Sequence, residues 1–364
     1  MNKEYWRIKE VSELYNINAN KLRFYEKKGL ISPLRDSENG YRKYSRDDLA
    51  QIQMILTYRL LELSVEDIRT LLQSEDKASM MHQILNQLTL LNTRINRYQI
   101  IQKHLNEVLD GCMDSDTRSD VLNYIIEAGK SIGSAIDYSE GWQDQWDFDA
   151  WAEDYDLTMQ SESDILHLFD NYDMVLEKVF VKAKENLDDK GRILEIGVGT
   201  GVLAAKFLDE GLSIMGVDQS HQMLLVAKRK YPALKLRVGD FMKLPFGDGV
   251  FDRIVSTYAF HHLKDEEKAY ALTEMLRVLK PSGYIVIGDM MFMNPKGRQE
   301  FLKALDRADR SAVEEEYYTD VASFGALIEK HNLDYEVEAV DALLHILTIR
   351  HTKFVVWNNR EYKK

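Results

Sequence analysis

The 364-residue chain contains one cysteine, five prolines and no apolar run long enough to span a bilayer. The single thiol, Cys112, excludes an intrachain disulfide and any metal site built from several thiolates of one chain. No proline lies between Leu34 and Tyr231, which permits long uninterrupted helices. The first residues lack the charged and apolar blocks of a signal peptide. These absences predict a protein of the reducing cytoplasm without a membrane partner. The length of 364 residues predicts roughly two to three domains.

The net charge of −13 is distributed unevenly along the chain. Residues 1–46 hold 11 Lys and Arg against 6 Asp and Glu, a net charge of +5, so the remainder carries −18. Nucleic acid attracts a basic segment and repels an acidic one. Any contact with DNA is therefore expected from the first 46 residues.

The most informative stretch is Ile193–Gly201, where a buried-strand pattern runs into three alternating glycines, Gly197, Gly199 and Gly201. Alternating glycines let the backbone turn sharply after a strand and approach a ligand closely. A second apolar strand over 212–217 ends at Asp218, whose carboxylate suits two ribose hydroxyls. Glu195, just before the loop, would repel the pyrophosphate of a dinucleotide. It would favour the ammonium and sulfonium of S-adenosylmethionine.

Three further motifs follow in order along the chain. Asp240 and Phe241 end a third predicted strand, residues 251–256 form a fourth, and residues 277–287 give a helix end, a turn and a fifth strand. This series resembles the class I S-adenosylmethionine-dependent methyltransferases over residues 145–350. The resemblance implies a doubly wound, Rossmann-like α/β body with a final antiparallel strand.

The same resemblance implies the cofactor and its contacts. The three glycines would pass under the methionine moiety of S-adenosylmethionine, Asp218 would hold the ribose, and Asp240 and Phe241 would hold the adenine. Met223 is a candidate apolar wall for the adenine ring. Tyr155 lies on a segment similar to the helix that closes over the cofactor in small-molecule members, and is a candidate lid residue. Ordinary core packing remains the alternative for these two side chains.

Residues for the methyl acceptor are less specific. Aromatic side chains concentrate over residues 138–155, and such side chains often wall apolar pockets. Contacts between modules are an equal alternative for them. His261 or His262, after the fourth strand, could remove a proton from the acceptor. A structural or lining role is the alternative, because methyl transfer depends mainly on alignment. The histidines predict no metal cluster. The candidates for the acceptor pocket are Trp142, Trp146, Trp151 and Tyr258.

The basic head has its own pattern. Residues 8–15 and 19–28 are predicted as two helices joined by a tight turn, a helix-turn-helix arrangement. The segments 22–33 and 40–44 resemble the MerR family of bacterial transcription regulators over roughly the first 72 residues. The resemblance implies an all-α winged helix-turn-helix domain, although the family usually has glycine in place of Glu62. It places Arg23 and Tyr25 on the recognition helix and Tyr41, Arg42 and Lys43 on the wing.

Arginine and lysine at these positions chiefly hold phosphates and set register. Each taken alone could instead be a solvated surface charge.

A long helical stretch separates head and body. Its apolar residues keep a 4,3 spacing broken only by Gln102, which predicts a coiled-coil dimerisation helix. MerR-like dimers pair through such a helix, usually antiparallel. Packing on the chain's own body is the alternative. Residues 110–120 are predicted as a hinge and 119–136 as another helix. The seam residues are Ile84, Leu88, Leu91, Ile95, Tyr98, Leu105, Leu109 and Cys112.

Together these patterns predict four segments: a DNA-binding head (1–75), a coiled-coil helix (76–115), a helical linker (116–145) and a methyltransferase body (146–364). The expected protein regulates transcription and methylates a small molecule, with ligand binding coupled to promoter binding. Its expected partners are promoter DNA, a second copy through residues 80–112, a small-molecule acceptor and, from the MerR resemblance, RNA polymerase. A catalytically silent sensor and a nucleic-acid methyltransferase are the alternatives.

Overall fold

The computed structural model describes residues 4–72, 77–113, 117–141, 146–159, 170–305 and 307–352. Contacts divide the chain into two compact units, Met1–Ile95 and Asn96–Lys364. The candidate pocket residue Trp142 lies outside the described residues. No helix within the described ranges combines the length and apolar character needed to cross a membrane.

The first unit contains two short helices of a helix-turn-helix followed by two further helices. Its elements are β1 (Trp6–Arg7), α1 (Ile8–Leu14), α2 (Ala19–Lys27), β2 (Leu34–Arg35), β3 (Arg42–Tyr44), α3 (Arg46–Leu60) and α4 (Val65–Leu71). The expectation of an all-α head is wrong, because β1, β3 and β2 form a three-stranded antiparallel sheet in that order. The hairpin of β2 and β3 brings its extended backbone to the side of α2.

Local sequence explains where the head helices begin. The Asn18 side chain accepts a hydrogen bond from the backbone N–H of Asn20 at 2.8 Å at the start of α2. Ser45 and Ser64 each form a capping box with the aspartate three residues later, at the starts of α3 and α4. Glu62 lies at φ +61°, the left-handed region that glycine adopts without strain. The turn before α4 is therefore kept although glycine is absent.

Helix α5 (Lys77–Met113) continues through part of the predicted hinge, and α6 (Arg118–Gly141) follows it. Gly111 therefore does not end α5. A Cβ at Gly111 would lie 2.7 Å from the Tyr124 ring, so this glycine provides room for that ring rather than a break in the helix. The hinge prediction is wrong over its first residues, 110–113.

The first part of α5 belongs to the head core. The Tyr58 hydroxyl donates to the carbonyl of Gln83 at 3.1 Å, and Leu90 packs against the buried head cluster. The predicted seam residues of α5 instead leave their apolar side chains at the surface, as at Leu88, Leu91 and Tyr98. A dimer through this face stays a prediction.

The second unit is built on one large mixed sheet with helices on both faces. After α7 (Phe148–Trp151) and α8 (Tyr155–Met159), its elements are α9 (Tyr172–Lys184), β4 (Arg192–Ile196), α10 (Val202–Asp209), β5 (Ser213–Asp218), α11 (His221–Lys230), β6 (Lys235–Val238), β7 (Phe251–Thr257), α12 (Asp265–Val278), β8 (Leu279–Phe292), α13 (Pro295–Ala304), α14 (Arg307–Glu314), β9 (Thr319–Asp320), α15 (Val321–Lys330), β10 (Leu333–Ala339) and β11 (Leu344–His351). A 3₁₀ helix, Phe260–His262, follows β7.

The strand order β10-β11-β8-β7-β4-β5-β6 confirms the doubly wound body. Strands β6, β5, β4, β7 and β8 run parallel, and β11 is antiparallel to both β8 and β10. Because β4 has β5 on one side and β7 on the other, the strand order reverses there. Open α/β sheets bind ligands in the crevice at such a switch point, beyond the carboxyl ends of the strands.

Candidate active site

A cavity of about 680 Å³ lies at that switch point. It is walled by the loops that follow β4, β5, β6 and β7, together with residues of α7 and α8. Its lining residues are Phe148, Tyr155, Ile196, Gly197, Gly199, Asp218, Gln219, Met223, Gly239, Asp240, Phe241, Met242, Thr257, Tyr258, Ala259, His262 and Leu263. Seven of the nine residues predicted to hold a cofactor are in this lining.

The glycine loop after β4 forms the floor of the cavity. Gly197 has φ +72°, and a Cβ there would lie 2.5 Å from the Cβ of Ala259, so only glycine fits. Gly199 also has a positive φ, +50°, with open space where its Cβ would be. Gly201 differs, because it is the residue before α10 and lies outside the cavity lining.

Asp218, at the end of β5, is fixed by the backbone around it. Its carboxylate accepts hydrogen bonds from the N–H of Gly199 at 2.8 Å and of Ser220 at 2.9 Å. An ionised carboxylate has about four lone-pair sites and can accept from more than two donors. The carboxylate is thus pre-oriented at the edge of the cavity before a ligand arrives.

A smaller cavity of about 310 Å³ shares Tyr155, Gly197, Gly199, Thr257 and Tyr258 with the first and extends it past Glu195. Burial and the charge of Asp218 raise the pKa of Glu195 well above its ordinary value. Among the described residues, Glu195 Oε2 has no hydrogen-bond partner.

A cationic group seated beside Glu195 would supply the missing donor and offset the burial of the carboxylate. The ammonium of S-adenosylmethionine is such a group. Glu195 therefore fits this cofactor on the chemistry of the site itself.

The opposite end of the larger cavity follows β5 and β6. Met223, at the start of α11, and Phe241 are both buried and both line the cavity. The core-packing and cavity-wall interpretations of Met223 therefore both hold. The Asp240 carboxylate accepts from the N–H of Met242 at 2.7 Å, and burial raises its pKa. This end offers an apolar slot with one acidic group, as a purine with an exocyclic amine requires.

Tyr155 lies on a short segment that is held against the loops of the sheet. The Asp149 carboxylate accepts from the Ser220 hydroxyl at 2.6 Å and from the N–H of Gln222 at 3.1 Å. Asp156 accepts from the Thr200 hydroxyl next to the glycine loop. These bonds bring Tyr155 into the lining of both cavities, where burial raises the pKa of its hydroxyl.

The two neighbouring histidines occupy different environments. His261 is buried outside the cavity lining, with Nδ1 at 2.6 Å from Asp289 Oδ1. His262 lines the cavity, and its Nδ1 lies 3.2 Å from Glu316 Oε2. Of these two histidines, only His262 can therefore contact a methyl acceptor. The prediction that His261 could remove a proton from that acceptor is wrong, because His261 lies outside the cavity and pairs with Asp289.

Charge accounts for the difference. Burial alone would lower the pKa of His261, but the charge and hydrogen bond of Asp289 outweigh it and raise that pKa. Burial and the neighbouring His261 lower the pKa of His262, against the opposing effect of Glu316. Burial alone would raise the pKa of Asp289, but His261 and the backbone hydrogen bonds lower it.

Neither described tryptophan candidate lines the cavity. Trp146 is absent from the lining but contacts two residues beside it: its ring lies 4.3 Å from that of His262, and its Nε1 donates to Glu316 Oε1 at 2.9 Å. Trp151 is 48% exposed and absent from the cavity lining, so its assignment to the pocket is wrong. The turn after α7 directs Ala152 rather than Trp151 into the apolar cluster of Met223.

Three site residues were not anticipated. Asp289 follows the apolar strand segment 284–287 at the carboxyl edge of the sheet, so its position could have been inferred. Tyr172, at the start of α9, lines the smaller cavity, and Glu316 lies in an acidic run. Neither Tyr172 nor Glu316 carries a sequence signal that separates it from its neighbours.

Within the described ranges, His261, His262 and Glu316 form the one group of metal-ligating types, with candidate ligand atoms within 4.8 Å of one another. The Nδ1 atoms of both histidines are already engaged by carboxylates. The group is therefore a satisfied hydrogen-bonded network as it stands, and the absence of a metal stays a prediction.

The head residues predicted to touch DNA also separate into two kinds. Tyr25 is buried in the head core at 1% exposure, so its assignment to a DNA contact is wrong. It lies on the inner face of α2, two residues after the exposed Arg23, which is on a different face. Tyr41 is exposed and lies in the hairpin directly before β3.

Arg42 and Lys43 are held by acidic neighbours rather than extended into solvent. Arg42 Nε donates to Glu26 at 2.6 Å, and Lys43 Nζ lies 2.6 Å from Asp36. Glu26 also accepts from Arg35 at 2.5 Å, so one carboxylate ties two cations of the hairpin to α2.

Comparison with known proteins gives matches in both units. Residues 6–75 match the family described as MerR HTH family regulatory protein, and residues 194–287 match the family described as Methyltransferase domain. An uncharacterized methyltransferase of Oceanobacillus iheyensis is 34% identical over 208 residues, which are 56% of this chain and 95% of that protein. One of Alkaliphilus oremlandii is 38% identical over 184 residues, 48% of this chain and 83% of that protein.

Solved structures are similar at lower identity. The magnesium protoporphyrin IX methyltransferase of Synechocystis with bound S-adenosylhomocysteine matches with a TM-score of 0.45 at 14% identity, over 56% of this chain and 96% of that one. The YcgJ protein of Bacillus subtilis matches with a TM-score of 0.42 at 19% identity, over 50% of this chain and 99% of that one.

Proposed function

We propose that this chain is a transcription regulator which methylates a small molecule. It belongs to the class I S-adenosylmethionine-dependent methyltransferases and carries a MerR-type helix-turn-helix domain. S-adenosylmethionine is the methyl donor of this family. The finer parts of the proposal are the residues that hold the donor, the acceptor class, the promoter contact and the coupling between them.

The donor is proposed to lie along the two joined cavities. Bound there, S-adenosylmethionine supplies an electrophilic methyl group on a sulfonium sulfur. Glu195 would receive the ammonium, Gly197 and Gly199 would let the backbone pass close to the methionine chain, and Asp218 would accept the ribose hydroxyls. Tyr155, which lines both cavities, would exclude water from the bound donor.

Asp240, Phe241 and Met223 complete the proposed donor site. The Asp240 carboxylate would accept from the exocyclic amine of the adenine, while the two apolar side chains would cover its ring. Gly201 contributes indirectly, because its φ of +89° allows the chain to turn into α10.

One observation carries this proposal above the others. Asp218, held by two backbone N–H groups, lines the larger cavity, and the smaller cavity that joins it is lined by a buried carboxylate, Glu195, whose Oε2 lacks a hydrogen-bond partner among the described residues. A ligand with hydroxyls at one end and a cation at the other satisfies both carboxylates.

The head is proposed to bind promoter DNA through α2 and the hairpin of β2 and β3. Arg23 and Tyr41 are exposed, whereas Arg42 and Lys43 would have to exchange their acidic partners for phosphates. Both ion pairs are partly exposed to water and salt, so exchanging them costs less than breaking a buried pair. We also propose a homodimer through residues 80–112, because several apolar side chains of α5 lie at the surface.

Acceptor turnover separates this function from its alternatives. The full chain is incubated with S-adenosylmethionine labelled on its methyl group and a small-molecule extract of the source cells, and donor binding is followed by calorimetry. The expected result is donor binding and a labelled small molecule. Donor binding without a labelled product would establish the silent sensor instead. Label that requires added DNA or RNA, and enters it, would establish the nucleic-acid methyltransferase.

A further inference from the structure

The geometry around His262 bears on the chemical class of the acceptor. The imidazole ring is packed between the ring of His261, at 3.9 Å, and that of Trp146, at 4.3 Å, with Phe148 at 5.1 Å. His262 and Phe148 both line the large cavity. The ring therefore forms part of an aromatic wall rather than of the core.

A carboxylate fixes the orientation of this ring. Glu316 Oε2 lies 3.2 Å from His262 Nδ1, and Glu316 Oε1 accepts from Trp146 at 2.9 Å. A carboxylate on Nδ1 selects the tautomer that keeps Nε2 as the acceptor. His262 and Glu316 thus have the arrangement of a general base and the group that orients it.

The backbone holds Glu316 in place. The N–H of the next residue, Tyr317, donates to the carbonyl of His261 at 3.0 Å. The carbonyl of Tyr317 accepts from the ammonium of Lys268, which is buried at 1% exposure. The segment with Glu316 is therefore fixed from both sides to the elements beneath the cavity.

Three charged groups face His262: His261 on the same 3₁₀ helix, Asp289 on β8 and Glu316 after α14. The His261–Asp289 pair lies under the ring, with Asp289 also accepting from the N–H of Phe260 and His261 at 2.7 and 3.0 Å. The net effect of burial and of these groups is to lower the pKa of His262. A neutral imidazole at neutral pH can accept a proton.

We infer that the acceptor is a flat aromatic compound methylated on a phenolic hydroxyl, whose proton is taken by Nε2 of His262, positioned by Glu316. This inference rests on the proposed methyltransferase activity and narrows its substrate. As the oxygen bonds to the methyl carbon, the bond from that carbon to sulfur breaks. Its electron pair stays on sulfur, so the sulfonium becomes a neutral thioether. The proton moves to His262 and then to solvent.

The chemistry of nucleophiles favours this class over the others. A thiolate or a neutral amine attacks without a base, and a carboxylate acceptor would be repelled by Glu316. A hydroxyl does need a base. A phenol, with a pKa of about 10 as in tyrosine, is within reach of an imidazole base, whereas an aliphatic hydroxyl is far less acidic. The aromatic wall of Phe148 and His262, with Trp146 packed against His262 outside the cavity lining, suits a flat ring.

The titration of His262 can be measured without any acceptor. In the full chain labelled on histidine, the NMR signal of His262 is assigned by its loss in His262→Gln. We expect its pKa to lie below the 6.5 of an unperturbed histidine and to fall further in Glu316→Gln, which removes a nearby negative charge. Glu315→Gln, a matched change at an exposed neighbour, should leave it unchanged. A pKa above that of free histidine in the parent would overturn the base assignment.

Product chemistry tests the acceptor class. With labelled donor and extract, the expected product carries its label as an aryl methyl ether, which resists mild alkali. His262→Gln should lower the rate by about 100-fold or more with unchanged donor affinity, and Glu316→Gln by about tenfold. In the parent, the rate should rise with pH through the His262 pKa and stay level above it. His331→Gln, an exposed histidine elsewhere, should behave as the parent.

Other outcomes contradict the inference and separate it from the proposed function. Label in a thioether, an amine or an alkali-labile ester would overturn the acceptor class while leaving the methyltransferase intact. A rate in His262→Gln within threefold of the parent would remove the base. Loss of turnover with a chelator, restored by Zn²⁺, would show that this cluster binds metal instead. Donor binding without any labelled product would defeat the proposed enzyme itself.

Discussion

In the unit Met1–Ile95, the cations of the hairpin pair with acidic neighbours and stay partly exposed, whereas in the unit Asn96–Lys364 the ionisable groups of the candidate site are buried beside a cavity. Arg42, Lys43 and their partners are partly exposed to solvent. Glu195, Asp289 and His261 are almost fully buried, and their pKa values are shifted.

This difference in burial determines whether each unit should respond to ionic strength or to pH. At 0.1 M salt, interactions between exposed charges more than about 10 Å apart are largely screened, and buried pairs are screened much less. The head should therefore respond to ionic strength. The candidate active site should respond to pH, because its ionisable groups titrate away from their ordinary values.

The largest expected effect concerns the exposed face of α5. Leu88→Glu with Leu91→Glu should separate a dimer, since it places charges where two apolar side chains would be buried. Losing the second DNA reader should weaken DNA binding by about 100-fold or more, with donor affinity unchanged. Sedimentation and anisotropy measure the two effects.

The control is Thr89→Glu, an exposed change on α5 outside the seam. Removing α5 by truncation after residue 75 would be less informative, because Leu90 and Gln83 belong to the head core. A variant that sediments and binds DNA as the parent does would contradict the dimer face.

The next effect concerns the donor site. Asp218→Ala should weaken S-adenosylmethionine binding by about 2 kcal/mol, or roughly 30-fold, because it removes a charged acceptor from the ribose. The loss should be similar at about 50 and 200 mM salt, unlike losses in the head. Asp209→Ala, at an exposed position at the end of α10, is the matched control in calorimetry. Equal affinity of Asp218→Ala and the parent would remove Asp218 from the site.

The smallest effect concerns the hairpin of the head. Arg42→Ala and Lys43→Ala should each weaken binding to all DNA sequences alike and reduce the salt slope by about one unit. Glu26→Gln should act oppositely, since it releases Arg35 and Arg42 for phosphates. Lys9→Ala, on α1, is the control for general charge loss. An unchanged slope in the first two variants would show that the hairpin does not lie on the DNA backbone.

The sequence predicted those features that local chemistry dictates. The glycine loop at 197–201 and the apolar strand that ends at Asp218 both follow from short-range patterns, and both are present in the structure. The doubly wound α/β fold of the body was predicted from the order of these motifs along the chain. The left-handed turn at Glu62 shows that a backbone conformation can persist where its usual glycine is missing.

The errors arose where packing between distant residues decides the outcome. Tyr25 occurs in a basic helix, yet its position on the inner face of α2 places it in the core. Gly111 lies in the predicted hinge, yet it is part of the continuous helix α5 and leaves space for the Tyr124 ring. Glu316 joins His262 across 54 residues of chain, a contact that no local pattern could indicate.

We propose that the ligand state of the body and DNA binding by the head are coupled in one regulator. The most direct test of this coupling is titration of the full chain with S-adenosylmethionine, and separately with its demethylated product, with and without a DNA duplex that the chain has selected from a random pool. Coupling must be reciprocal and is typically about 1–3 kcal/mol, so the duplex should change at least one dissociation constant by roughly five- to 150-fold. Identical constants for both ligands, with and without the duplex, would contradict the claim and leave the two units merely joined.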